Sequence, residues 1–385
     1  MQKGFTAGDS FSCILLWEEG WMIHRYLEHH KLYPDSTPIL ALIMIPFLAL
    51  SEHDGIEYVN RTFDVHIPRD SERVHKVRNQ MKSLGARGIR FDEYSKETNE
   101  LLTAMSQSFK GHRGPFSKLA NALQPDMGIY YYKDMPIGTT YSIARYLFDS
   151  ESAHNMRNDY SEVVGSFGCE LGESGAFLYA FAEQLFADEG VKSFSEFATA
   201  SNDVHLANLI KPLDDQGVDD PAVFFMLTDL MLQINAVLAL LDAGLFTRRL
   251  FIKYMVATLF HGWKSVRSFT GYTLGEKCPV TFKRETIIRI GKMFPQLISK
   301  KIEKIEPLRH ALVHYDFSPF SDVALGDDGH PDDVLICAVN HQMGMGIEEF
   351  EGFLFESSRA VSTRIAEITG FPKYNPRLDP DMRLS

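Results

Sequence analysis

Apolar positions recur at helical spacing along most of the chain, and few stretches alternate as strands do. The period predicts helices over residues 11–33, 39–51, 70–84, 93–109, 139–148, 174–186 and 193–210. Pro34 ends the first, Pro46 kinks the second and Gly85 ends the third, as their backbone restrictions require. Ser174 and Ser193 stand where N-caps would. Residues 58–67 alternate weakly and read as a strand. Residues 113–138 hold scattered Gly and Pro and the run Tyr130-Tyr131-Tyr132, and read as irregular.

The polar, turn-rich segment Lys211-Pro212-Leu213-Asp214-Asp215-Gln216-Gly217 divides the chain into residues 1–215 and 216–385. Asp220 then caps a helix with Pro221 at its first position. Four helical stretches follow: 221–241, 246–269, 282–315 (broken or bent at Pro295 and Pro307) and 347–369. A β-hairpin is expected between the last two, over residues 321–325 and 334–339. The fold class is therefore mostly α: a C-terminal four-helix bundle with a small β-hairpin insertion, behind a mainly helical N-terminal region.

Composition narrows the class. At 385 residues the chain is two domains or one large one, long enough for a substantial core. Its 45% hydrophobic content excludes a disordered or low-complexity chain. Cys13, Cys169, Cys278 and Cys337 lie far apart with no CxxC, which excludes a disulfide framework and fits a reducing, cytoplasmic setting. The first residues show no secretory leader. The apolar run at 39–50 is too short to span a bilayer. The run at 222–241 carries Asp229, whose insertion would cost about 2.5–3.5 kcal/mol. Both read as buried helices, and no membrane partner is expected.

Net charge is −12, which by itself disfavours a polyanionic partner. Residues 243–310 depart from it, with 14 Lys and Arg against four Asp and Glu. Solvated helix faces would account for such a segment, and so would a local attraction for nucleic acid.

Candidate chemistry lies at the end of that segment, in Arg309-His310-Ala311-Leu312-Val313-His314. An Arg-x4-His spacing alone says little, since Arg25–His30 and Arg61–His66 repeat it. The polar His310 after the arginine, the apolar Leu308, Leu312 and Val313 around it, and its place on the third of four long helices set it apart. This motif in this setting resembles the HEPN superfamily of helical ribonucleases, toxins and phage-defence effectors. The resemblance covers residues 221–370 and none of 1–210. It implies a metal-independent endoribonuclease that needs no cofactor. His314 would serve as general acid or base, Arg309 as the clamp on the charged phosphoryl oxygens, and His310 as the polar group supplementing them. Attack by the ribose 2′-OH would leave 2′,3′-cyclic phosphate ends. Lys300, Lys301 and Lys304 would bind the RNA backbone. HEPN-like domains also include non-catalytic nucleotide- or protein-binding modules, which is the alternative reading.

At 100° per residue Arg309 and His314 differ by about 140° around a straight helix, so one helix cannot converge them. The resemblance supplies a solution, a homodimer with the two motifs facing. The N-terminal half would then sense a signal or bind a regulatory or antitoxin partner. Elsewhere, His24, His29 and His30 sit near Glu18, Glu19 and Glu28 without a standard ligand spacing, and no metal site is expected. Asp229 and Asn235 read as hydrogen-bonded core groups, and His261 and Trp263 as packing residues or a stacking platform. No Walker A loop or GxGxxG is present.

Overall fold

A computed structural model describes residues 6–375 except 36, 68–70, 82–90, 111–115, 117, 119–120, 122–123, 149–152, 154–155, 184–195, 276–281 and 321–330. The described chain is mostly helical, with one small antiparallel sheet. Before residue 216 the helices are α1 (Ala7–Leu32), α2 (Thr37–Phe63), α3 (Glu72–Gln80), α4 (Phe91–Phe109), α5 (Thr140–Leu147), α6 (Met156–Glu183) and α7 (Leu206–Asp214). After it come α8 (Pro221–Asp242), α9 (Arg248–Thr273), α10 (Arg284–Gly291), α11 (Gln296–Lys304), α12 (Glu306–His314), α13 (Pro331–Met343) and α14 (Ile347–Thr369). Buried side chains from both sides of residue 216, among them Phe11, Leu50, Tyr141, Phe225, Val256, Leu312 and Phe350, form one continuous apolar cluster.

Helix α8 lies at its centre, packed by α9, α14, α4 and the sheet. Asp220 accepts from the Ala222 amide and Pro221 opens the helix, as the sequence predicts. Its polar residues are tied inside the protein. The Asp229 carboxylate pairs with Arg145 at 3.0 Å, and Asn235 donates to the Pro136 carbonyl at 2.8 Å and accepts from Ser362 at 2.8 Å. Burial pushes the Asp229 carboxyl up to about 6, with the Arg145 guanidinium opposing it. Helices α2 and α8 are long and apolar enough to cross a membrane by length and composition, yet 78% and 89% of those windows are buried within the protein.

The sheet lies where no strand was expected. β1 (Met127–Tyr132) pairs antiparallel with β2 (Met135–Thr139) on one side and β3 (Thr199–Val204) on the other. A turn with Lys133 at φ 54° joins the hairpin. Aromatic Tyr131 and Tyr132 are buried on it, so the tyrosine run read as irregular is a strand packed by its rings. Residues 193–210 are not one helix. The polar stretch Ser201-Asn202-Asp203 is held as strand by cross-strand bonds to β1 rather than by its own pattern. Ser174 lies inside α6 rather than at a helix start, whereas Ser193 is outside the described residues.

Two further expectations are corrected. Residues 58–63 continue α2, because Tyr58 and Val59 extend its buried face, and the chain leaves the helix only at Asp64, φ 53°. Residues 334–339 belong to α13, whose opening Pro331-Asp332-Asp333 is a helix-start signature that a continuous apolar run obscured. Its expected partner strand, 321–325, lies outside the described residues. The third helical stretch is three helices. Gly291 ends α10, Pro295 precedes α11 and Pro307 opens α12, each break sitting where proline or glycine interrupts the ladder.

Close approach of α8 and α9 needs Gly262. A Cβ there would lie 2.3 Å from Leu230 Cδ1 and 2.6 Å from Cδ2, in a buried contact. Gly262→Ala should destabilise the protein by about 1–3 kcal/mol through overpacking. The expected readout is a lower urea midpoint at unchanged slope. An unshifted midpoint would mean that Leu230 moves aside freely.

Candidate functional site

Helix α12 ends at a residue that is not glycine yet adopts the left-handed conformation. Tyr315 has φ 52° and ψ 38° and caps the helix by donating its amide to the Ala311 carbonyl. A side chain is costly there and must be over-determined by its surroundings. Tyr315 is held from three sides. Its carbonyl accepts from Ser12 of α1 at 3.1 Å, its hydroxyl donates to Glu19, and that hydroxyl accepts from Lys253 at 2.7 Å. Lys253 and Glu19, both fully buried, pair at 2.6 Å. Tyr254 joins them, donating to Glu19 at 3.2 Å and bonding Ser51 of α2. Burial, then the Glu19 charge, pushes the Tyr315 hydroxyl well above its ordinary range, so it remains a donor.

His314 precedes this anchor and meets α2. Its Nδ1 lies 2.8 Å from Asp54 Oδ1. Asp54 is fully buried and also accepts from Arg78 of α3, at 2.7 Å from Nη2 and 3.1 Å from Nε. Burial alone would raise the Asp54 carboxyl. The His314 hydrogen bond and the Arg78 pair outweigh it and hold the group well below the usual carboxylate range. An ionised carboxylate only accepts, so His314 Nδ1 carries a proton. Its Nε2 takes no part in this bond. The imidazole is about a quarter exposed. Arg78–Asp54–His314 thus orients a histidine through a buried carboxylate, as acid–base enzymes do.

Arg309 lies on the same helix and meets α9, where its Nη2 is 3.0 Å from His261 Nε2. Its Nε has no hydrogen-bond partner among the described residues. Burial lowers its pKa, the charge of Asp54 raises it and that of Arg78 lowers it, so it shares the field of the histidine site. The His310 ring lies tilted against that of His314, centroids 4.7 Å apart, with Nε2 3.9 Å from Asp316. Burial and the neighbouring His314 hold its pKa down. The three motif residues are brought to one region, but Arg309 and His314 make contact with different helices, in line with their 140° separation.

Other candidates have other places. Lys300 and Lys304 are exposed on α11, and Lys301 lies 4.9 Å from the Phe353 ring. Part of the basic stretch is paired with carboxylates of the same chain. Arg248, Arg249, Lys253, Lys264 and Arg267 pair with Glu351, Glu18, Glu19, Glu306 and Glu303. Around α1, Glu18 also accepts from Thr247 and His29 Nε2 accepts from the Phe197 amide at 2.9 Å, so these groups are engaged in the fold. Asp54 and Arg78 were invisible in the sequence. Asp54 lies beyond the helix predicted to end at residue 51, and Arg78 falls inside the one predicted over 70–84 with nothing in the sequence to join the two.

The depressed Asp54 carboxyl has a sign. A carboxylate whose folded pKa lies below its unfolded value of about 3.9 stabilises fully above that pH, and the contribution fades as pH falls below it. Asp54→Asn should cost about 3–5 kcal/mol at neutral pH, because Arg78 loses its buried partner. It should also lose stability less steeply than the wild type below about pH 4. Parallel acid-side slopes for the two proteins in thermal melts would contradict the assignment.

Comparison with protein-family models, with curated proteins and with solved structures finds no match.

Proposed function

We propose that this chain is a metal-independent endoribonuclease of the HEPN type, with His314 as general acid–base and Arg309 as the phosphate-binding cation. The observation that carries the reading is the 2.8 Å hydrogen bond from His314 to a buried aspartate that this bond and the Arg78 pair together hold ionised. That bond fixes one tautomer and leaves Nε2 for a ribose 2′-OH or a leaving 5′-oxygen. Arg309 stays charged at any physiological pH and supplies a guanidinium where phosphoryl charge would grow. His310, half-exposed and close to His314, supplements the pair. The exposed Lys300 and Lys304, with Lys301, would hold the RNA backbone.

Convergence of Arg309 and His314 on one phosphate is part of the same proposal. Two copies packed through the C-terminal helices, motifs opposed, would offer the arginine of one to the histidine of the other. In this reading the protein is cytoplasmic and acts as a toxin or defence effector, restrained by its N-terminal half or by a partner.

Incubation with total RNA in EDTA tests the proposal. Wild-type protein should cleave and leave 2′,3′-cyclic phosphate and 5′-hydroxyl ends. His314→Ala and Arg309→Ala should each lose at least about 100-fold in rate. Asp54→Asn should also lose activity, since the imidazole loses its orienting partner. Lys304→Ala should weaken RNA binding and flatten its salt dependence while sparing the chemistry. Cleavage that needs Mg²⁺, or that survives in the Arg309→Ala, His314→Ala double variant, would overturn the nuclease assignment. RNA or nucleotide binding without any cleavage would favour a non-catalytic module.

A further inference from the structure

Asp54, Tyr58 and Arg61 follow one another on α2 at helical spacing and so share one stripe of that helix. The stripe runs along the end of α12. Asp54 bonds His314, and the Tyr58 ring lies 5.5 Å from that of Tyr315. Arg61 is the next residue on it, exposed, with its guanidinium 6.0 Å from the Tyr58 ring centroid. Among the described residues it makes no ion pair or hydrogen bond, whereas Arg248, Arg249 and Lys253 are all paired. Its charge is felt at the histidine site. Burial first, then His314, Arg309 and Arg61, lower the His310 pKa, with Asp316 opposing them. Burial would raise the Asp316 carboxyl, and its bonds from Ser318, then Arg61 and His310, bring it down. Arg309 meets α9 instead, away from the α2 side where His314 is held. Arg61 also lines a solvent-open cavity of about 750 Å³ between α2 and α3, together with His53, Glu57, Asn60, Glu72 and His75.

We propose that Arg61 holds an RNA phosphate beside His310 and His314, and that the cavity between α2 and α3 receives the adjoining base. The proposal rests on the reading of His314 as the centre of an RNA site, and names what that site binds. A guanidinium takes two phosphoryl oxygens at once, and this one stands on the same side as the imidazoles within a single chain. The rest of the lining separates base from phosphate. Glu57 and Glu72 are exposed carboxylates, which repel a phosphate and accept hydrogen bonds from donors. The exocyclic amino groups of cytosine, adenine and guanine are such donors, and uracil has none. The His53 and His75 rings, centroids 5.2 Å apart, add aromatic surface for an unstacked base. Asn60 is committed to the Ile67 backbone through both ends of its amide, so it shapes the wall and does not read the base. A cavity of this volume lies in the range of small-ligand sites, about 300–1,000 Å³.

Fluorescence anisotropy of the full chain with labelled 2′-O-methyl tetranucleotides reads binding apart from cleavage, because these probes lack the attacking hydroxyl. Wild-type protein should bind the cytidine tetranucleotide at least about fivefold tighter than the uridine one. Arg61→Ala should weaken cytidine binding at least about tenfold and lower the salt slope by about one, while Arg61→Lys keeps the slope. Arg61 is exposed, so both variants should fold as the wild type does. The Glu57→Gln, Glu72→Gln double variant should narrow the preference for cytidine over uridine. Lys211→Ala, which removes one positive charge from α7, should match the wild type throughout. Without any probe, His310 should titrate at higher pH in Arg61→Ala, since a cation opposing its protonation is gone. Arg61→Ala with wild-type affinity and slope, an unmoved His310 titration, or wild-type protein that binds both tetranucleotides alike or neither, would overturn the proposal. The expected binding without cleavage of ordinary RNA would leave it standing and remove the nuclease reading alone. Metal-independent cleavage with binding and rate unchanged in Arg61→Ala would remove this proposal alone.

Discussion

The Lys253–Glu19 pair is the interaction on which the candidate site depends. Two fully buried charges are tolerated only when paired and hydrogen-bonded on every side, and here Tyr315, Tyr254 and Ser51 complete the set. The geometry therefore has little freedom. Glu19 comes from α1, Ser51 from α2, Lys253 and Tyr254 from α9, and Tyr315 from the end of α12. Satisfying this one network draws four segments together. It also holds Tyr315 in a left-handed conformation that its side chain disfavours, and thereby stops α12 directly after His314. A helix running one turn further would place no break beside the histidine.

Around this network lies a second buried ionic group with a different character. Asp54 is shared between Arg78, which is nearly buried, and His314, which reaches solvent. Hydrogen bonds from His314 and from Arg78 together hold the carboxyl ionised, and of the two partners only the histidine reaches solvent. The Arg145–Asp229 pair makes the contrast. It too is buried, but its aspartate is pushed up to about 6 by desolvation against a single partner, and neighbouring tyrosines rather than an exposed imidazole surround it. By this comparison the Asp229 pair is enclosed in the core, and the Asp54 group is the one with a partner that reaches solvent.

The basic stretch at 243–310 gives a related lesson about charge read along a chain. Its cations reach Glu18 and Glu19 on α1, Glu351 on α14, and Glu303 and Glu306 within the segment. Linear charge density overstates a surface field when the fold supplies counter-charges from distant segments. Lys300 and Lys304 remain exposed, and they lie on α11, immediately before the helix that carries the motif.

Sequence alone determined the mostly helical class, the start of α8 at Asp220-Pro221, the breaks at Pro295 and Pro307, and the motif at 309–314. These are local properties: a period of 3.6, a cap, a missing amide and a spacing. It also pointed to Asp229 and Asn235 as bonded core groups, since an apolar helix cannot bury such residues otherwise. Tertiary structure decided the rest. Strand β3 exists because β1 offers it hydrogen bonds, not because Ser201-Asn202-Asp203 favours extension. Residues 334–339 are helical although their apolar run fits either state. Above all, Asp54 reaches His314 across 260 positions and Arg78 reaches Asp54 across 24. No periodicity encodes which buried carboxylate meets which imidazole. That choice is made by packing, through the cost of leaving either charge buried without a partner.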